Sequence, residues 1–231
     1  MLKNDYSDDY KRITDKIGFK ESELTTWKNT TNKIYLPKKE GTELMEQFEG
    51  YFDLMNLIVE EYDENDMPKR PSNLREIGIR NTQFIKQADV VMLMYLLKDE
   101  FDFETKKVNY DYYEKRSLHG SSLSPSIYSI MGLEVNDESK AYRYLKRGAF
   151  IDLKDLQRNA REGMHAANAG GVWKTVVFGF AGMYIDNKGE LKFNPKMPKE
   201  WNNLKFKINH DKNKYEININ NKNEVCTKLL K

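Results

Sequence analysis

Cysteine is almost missing from this chain, histidine is scarce, and there is no surplus of charge of either sign. The single cysteine, Cys226, cannot close an intrachain disulfide, so the fold must hold without one, which suits a reducing compartment. Three histidines cannot build a rich metal cluster, so no metal site and no cofactor is expected. The 38 Lys and Arg residues are balanced by 36 Asp and Glu residues, for a net charge of +2. Basic residues stand beside acidic ones, as in Lys38-Lys39-Glu40 and Glu114-Lys115-Arg116, where a nucleic-acid or anionic-lipid surface would concentrate them in a patch. Long apolar runs are missing too. The stretch from Ala88 to Leu97 is too short to cross a bilayer, and the opening residues Met1 to Arg12 carry no apolar run of signal-peptide type. The expected setting is cytoplasmic, with neither nucleic acid nor membrane as partner.

What is present is enough to fold. Of 231 residues 39% are hydrophobic, and 14 Tyr with 11 Phe can fill a core for one sizeable domain, or one domain with a small appendage. Tyr6 to Ile17 and Glu21 to Tyr35 read as helices, the latter with acidic residues at its positive end. Gln47 to Tyr62 is aromatic and aliphatic without a clean period, and Asp63 to Asn81, with Pro68 and Pro71, reads as loop. Phe84 to Leu97 is apolar on nearly every side, as in a helix buried within a multilayer helical fold. Further helices are expected over Glu104 to Arg116, from a Ser124 cap with Pro125 in the first turn, and over Ser139 to Asp152. Met164 to Met183 mixes Ala, Gly, Trp and Phe in a way that suits close helix packing. After Asp186 the pattern changes to short alternating strands, marked by Leu191, Phe193, Leu204, Phe206, Ile208, Tyr215, Ile217 and Ile219.

Three short segments can carry chemistry. Lys86 and Gln87 are adjacent polar residues at the start of the most apolar stretch, and can pair with sugar hydroxyls or simply end a helix in water. In His119-Gly120-Ser121-Ser122-Leu123-Ser124, an imidazole, a glycine turn and two hydroxyls can surround a tetrahedral oxyanion, and the same letters fit a Ser-rich helix cap. His165, between Gly163 and the Asn168-Ala169-Gly170-Gly171 run, can donate to phosphate oxygens or sit satisfied in a core. No nucleophile elbow surrounds Ser121 or Ser122, and no glycine-rich nucleotide-binding pattern is found.

Taken together, Gln47 to Phe52, Lys86 to Val90, Tyr112 to Ser124, Gly163 to His165 and Gly179 to Met183 resemble glycoside hydrolase family 65, the maltose, kojibiose, nigerose and trehalose phosphorylases. Order and approximate spacing match as well. The resemblance implies a mainly α fold, a partial (α/α)6 barrel over residues 1–184 followed by a small C-terminal β domain, sandwich-like, over 185–231. It implies inverting phosphorolysis of an α-glucosyl disaccharide by inorganic phosphate as co-substrate, giving β-glucose 1-phosphate and a released sugar. Residues matching Lys86 and Gln87 would hold the glucosyl unit, and those matching His119, Ser121, Ser122 and His165 would border phosphate.

Such a reaction needs an anion pocket where an inverting hydrolase places a carboxylate base, and one carboxylic acid for the departing oxygen. The family's acid is a glutamate upstream of the first matching segment here. No residue of this chain is therefore assigned as catalytic; Glu49, Glu60 and Glu114 lie in or near matching regions without a claim to the role. The implied protein is a fragment, inactive alone, that joins a complementary N-terminal polypeptide, with a homodimer as a further partner to expect. The alternatives are a non-catalytic carbohydrate-binding remnant and part of a trehalose-type hydrolase, the latter disfavoured by the intact His119 to Ser122 phrase.

Overall fold

The computed structural model describes residues 2–230, so the outermost residues of the two expected domains, 1 and 231, lie outside it. The chain forms two compact units, residues up to 37 and residues from 38 onward. The first contains α1 (Leu2–Asp5), α2 (Ser7–Ile17) and α3 (Glu21–Thr31). Gly18 ends α2 in a left-handed conformation, its N–H donating to Asp15 O and the following Phe19 N–H to Thr14 O. Glu23 reaches back to the Lys20 backbone N–H at 2.9 Å, which starts α3. Phe19 packs against Tyr10 and Trp27, yet α2 and α3 bury no residue.

The second unit is helical first and β afterwards: a partial helical barrel followed by a small β domain. Its helices are α4 (Leu74–Ile77), α5 (Asp89–Leu96), α6 (Phe103–Glu114), α7 (Ser124–Glu134), α8 (Glu138–Phe150) and α9 (Ala166–Lys174), the last continued by a π-helical turn, Thr175–Phe180. Every residue of α7 from Ser124 to Leu133 is buried, because α5, α6, α8 and α9 all pack around it. Serine and glycine on α7 and α9 allow close approach: a Cβ added at Gly171 would lie 2.8 Å from Ser126 Oγ, and one at Gly179 would lie 3.2 Å from Leu133. These contacts rise together along both helices, so α7 and α9 run parallel.

Tyrosines dominate the core. Tyr51, Tyr110, Tyr113, Tyr128 and Tyr144 are all buried, and Tyr51 and Tyr113 donate to the Gln83 and Met45 carbonyls, each at 2.5 Å. Buried Asn109 staples the loop above it, donating to Glu43 O and accepting from Met45 N–H.

Residues 84–88 differ from the helix expected there; only Asp89–Leu96 is helical. Tertiary pairing wins over local apolarity. Ile85 bridges Ser117 in parallel, its N–H bonding Arg116 O while its carbonyl accepts from Leu118 N–H. The Gln83 side chain donates to the Phe52 and Leu54 carbonyls, holding the preceding residues extended. The residue capping α7 is Leu123, with Ser124 already inside the helix.

Strands β1 (Met183–Ile185) and β2 (Leu191–Phe193) form a hairpin whose turn is held by Asp186 accepting from the Lys188 and Glu190 N–H groups. Gly182 enters it at φ 59°, where a Cβ would sit 1.9 Å from Asn194 O; only glycine fits. β3 (Asn203–His210), β4 (Asn213–Asn220) and β5 (Val225–Leu230) make an antiparallel meander. Ile217 and Ile219 are its buried centre, against Leu204, Phe206 and Trp201. Asp211 and Lys212, both at positive φ, make the two-residue turn that matches strand twist.

Candidate functional site

All six candidate residues lie in segments that lead into α5, α7 and α9. Lys86 and Gln87 form a bend just before α5, His119 to Ser122 precede α7, and His165 is the residue capping α9. Because α7 and α9 run parallel, their free N–H ends face the same way, an arrangement that favours anions. The Ile85–Ser117 bridge lays the first segment beside the second, and the Lys86 stem crosses Gly120 so closely that a Cβ there would lie 3.3 Å from Lys86 Cγ. Lys86 and Gln87 are exposed, and Ser121 and Ser122 are half-buried. Gln87 donates to Asp89 at 2.9 Å, and Gln47 reaches the other oxygen of the same carboxylate at 3.4 Å. Asp89 thus gathers both amides at the mouth of α5.

His119 is built differently. Its side chain is among the most buried in the protein, at 1% exposure, packed between Tyr128 and Tyr144 with each ring centroid 5.1 Å away. Its backbone takes a left-handed conformation, φ 47°, which aims the ring inward as the turn begins. Tyr144 donates to Glu114 Oε1 at 2.8 Å, so the phenol oxygen is left to accept from His119 Nε2 at 3.2 Å. Glu114, 3% exposed, also receives Lys140 at 3.0 Å. Burial, and secondarily the Arg147 and Arg143 charges, hold the imidazole well below its ordinary pKa, so it is neutral. The ring therefore anchors the turn from inside.

His165 has one fifth of its side chain exposed. Asp152 grips it twice, accepting from the ring Nδ1 at 2.5 Å and from the backbone N–H at 2.9 Å. Asn159 Nδ2 lies 3.3 Å from the other ring nitrogen. The Asp152 carboxyl is held below the usual carboxylate range, chiefly by its bond to His165. Behind it, Asn168 donates to Gly148 O at 2.8 Å and ties the start of α9 to α8. Thus the structure brings Lys86 against the His119 to Ser122 turn and places His165 at the matching end of a parallel helix. Asp152, Asn159, Tyr144 and Glu114 were not singled out as site residues from sequence. Nothing in their spacing signals a role: Asp152 is 13 residues from its histidine and Tyr144 is 25 from its own.

A cavity of about 870 Å³ lies elsewhere, at the opposite end of α7 beside Glu134, Asn136, Tyr184 and Lys196. Size alone is a poor guide here, since the polar convergence and the paired helix N-termini are at the other end. Among the described residues, no group of His, Cys, Asp and Glu could hold a metal ion, and no helix is long and apolar enough to cross a membrane.

Comparison with known proteins identifies what the arrangement belongs to. The model of the glycosyl hydrolase family 65 central catalytic domain matches residues 2–174, and that of the family's C-terminal domain matches residues 184–230. This chain belongs to glycosyl hydrolase family 65. It is 48% identical over 231 residues to a kojibiose phosphorylase of Thermoanaerobacter brockii, covering 100% of this chain and 30% of that relative. It is 49% identical over 230 residues to one of Caldanaerobacter subterraneus subsp. tengcongensis, with the same coverage. An alpha,alpha-trehalose phosphorylase of Thermoanaerobacter brockii is 34% identical over 228 residues, covering 99% of this chain and 29% of that relative. A solved structure named "Putative kojibiose phosphorylase from human microbiome" superposes with a TM-score of 0.79 at 33% identity, over 95% of this chain and 29% of that one. The chain spans 30% of the length of the two kojibiose phosphorylases.

Proposed function

We propose that this chain supplies the donor-sugar and phosphate half of an inverting disaccharide phosphorylase. In this reading phosphate attacks the anomeric carbon of an α-glucosyl disaccharide, the C–O bond to the second sugar breaks, and β-glucose 1-phosphate and the free sugar leave. Lys86 and Gln87 hold the glucosyl unit, Ser121, Ser122 and His165 border phosphate, and His119 serves the same turn from beneath. The observation that carries the reading is Lys86 lying against the His119 to Ser122 turn at the start of α7, with His165 at the same end of the parallel α9, in a chain of this family. Donors fixed there would hold phosphate in line with the glycosidic bond and offset part of the entropy lost in joining two substrates.

The acid that protonates the departing oxygen comes, in this proposal, from polypeptide outside these residues. Glu114 is locked beneath Tyr144 and Lys140, and Asp152 is committed to His165, so neither is free to deliver a proton. The working division is a partial barrel to residue 184 and a β domain from 185, in a cytoplasmic protein that associates with a complementary N-terminal polypeptide and pairs as a homodimer. Kojibiose is the first disaccharide to try, because three relatives at 42–49% identity carry that name, whereas trehalose, maltose and nigerose phosphorylases stand at 31–34%.

The test is phosphate release from β-glucose 1-phosphate with glucose and other acceptors, by the chain alone and with a polypeptide corresponding to the remainder of the relatives. Turnover only in the mixture is the expected result. Turnover by the chain alone would show that one of its own carboxylates is the acid. Sugar binding without turnover in either would favour a carbohydrate-binding protein, and neither binding nor turnover would end the proposal.

A further inference from the structure

The segment between α8 and α9 is wound by three backbone positions at positive φ: Asp155 at 48°, Arg158 at 56° and Gly163 at 118°. Two of these are non-glycine residues in a sparsely populated conformation, a cost that must be met by contacts elsewhere in the segment. Asp155 meets part of it by accepting from Ala160 N–H at 2.8 Å. The result of this winding is that Asp152, from the end of α8, and Asn159, from mid-segment, reach opposite nitrogens of one imidazole.

A carboxylate only accepts, so the proton between Asp152 and His165 sits on Nδ1. In the neutral ring Nε2 is then a bare acceptor, and the Asn159 amide is oriented to donate to it. At 3.3 Å this bond is longer than the two that His165 makes to Asp152, at 2.5 and 2.9 Å. It is the bond most easily exchanged. A bare nitrogen repels phosphate oxygens. Phosphate therefore enters proton first: its P–OH donates to the bare Nε2, and transfer of that proton leaves Nε2 donating to a phosphate oxygen.

We propose that Asp152 is a positioning residue that locks His165 with Nε2 as its ligand-facing nitrogen, and that the Asn159 amide occupies this nitrogen until phosphate replaces it. The inference rests on the reading that His165 borders phosphate and adds what makes it competent to do so. Ser121 and Ser122 supply neutral donors, while His165, paired with Asp152, supplies the charge. A single charge-assisted hydrogen bond of this kind corresponds to roughly a tenfold to hundredfold change in affinity.

The experiment uses the full chain labelled with 15N-histidine and long-range proton–nitrogen correlation, without and with inorganic phosphate. The expected ligand-free spectrum shows His165 protonated at Nδ1 and bare at Nε2, the less common tautomer of a free imidazole, and phosphate converts the ring to the doubly protonated form. In Asp152→Asn the tautomer preference is lost and the phosphate dissociation constant rises about tenfold, while Asn159→Ala keeps the tautomer and binds phosphate about two- to threefold more tightly. A wild-type His165 protonated at Nε2, or an Asp152→Asn ring unchanged from wild type, overturns the positioning role. Should Asp152→Asn fail to fold, the wild-type tautomer and the Asn159→Ala titration decide the matter. The expected tautomer with no response of His165 to phosphate overturns the phosphate reading, and with it the exchange at Asn159, separately from the hold of Asp152 on the ring.

Discussion

The two histidines that precede α7 and α9 share a residue type and a place in the chain's architecture, but their surroundings are opposite. His119 lies inside a tyrosine core, its ring bonded to a phenol whose proton is committed to a buried carboxylate. His165 lies at the surface with a carboxylate directly on its ring. A low-dielectric shell with no acid in contact disfavours the charged imidazole, whereas the His165 ring, one fifth exposed, has a carboxylate as its direct partner. One is suited to hold a turn in place, and the other to meet an anion.

That contrast breaks first at Glu114. Replacing Glu114 by Ala leaves Lys140 and Tyr144 without their shared acceptor and loosens the phenol that holds the His119 ring, and should cost about 3 kcal/mol of stability, read as a lower urea midpoint. Asp152→Ala, removing a carboxylate in a partly exposed pair, should lower the midpoint far less. A larger loss at Asp152 than at Glu114 would reverse the comparison.

A second division follows from replacing each histidine. His119→Ala should cost about 2–3 kcal/mol through the cavity left between Tyr128 and Tyr144. His165→Ala should cost under about 1 kcal/mol of stability while weakening phosphate binding about tenfold or more, measured by calorimetry on the same preparations.

The smallest and most specific effect is in pH. The folded His119 has its pKa depressed, so as pH falls below the ordinary value of 6.5 the unfolded chain takes up a proton that the native protein refuses. Stability present above that pH is then lost on acidification. His119→Gln should flatten this part of the stability profile between about pH 7 and 5. An unchanged profile in His119→Gln would show that burial does not hold this ring neutral.

Much of the architecture was legible before any coordinates. The helices at Ser7–Ile17, Glu21–Thr31, Phe103–Glu114 and Glu138–Phe150 stand within a few residues of expectation, because their ends are marked by a glycine stop, a reciprocal cap and Asp caps that act over three or four residues. The short strands after Asp186 were equally local. Residues 84–88 escaped because their extended form depends on partners at 52, 54 and 116–118, beyond any local window.

The sequence by itself determined the succession of helices and strands, the family and the six residues worth inspecting, since periodicity, caps and motif letters are short-range properties of the chain. Only the tertiary structure decided what those residues can do. It drew Lys86 across Gly120, turned His119 into the core and set Asp152 against His165, because burial and proton placement depend on which distant groups share a low-dielectric space, and residue spacing carries no record of that.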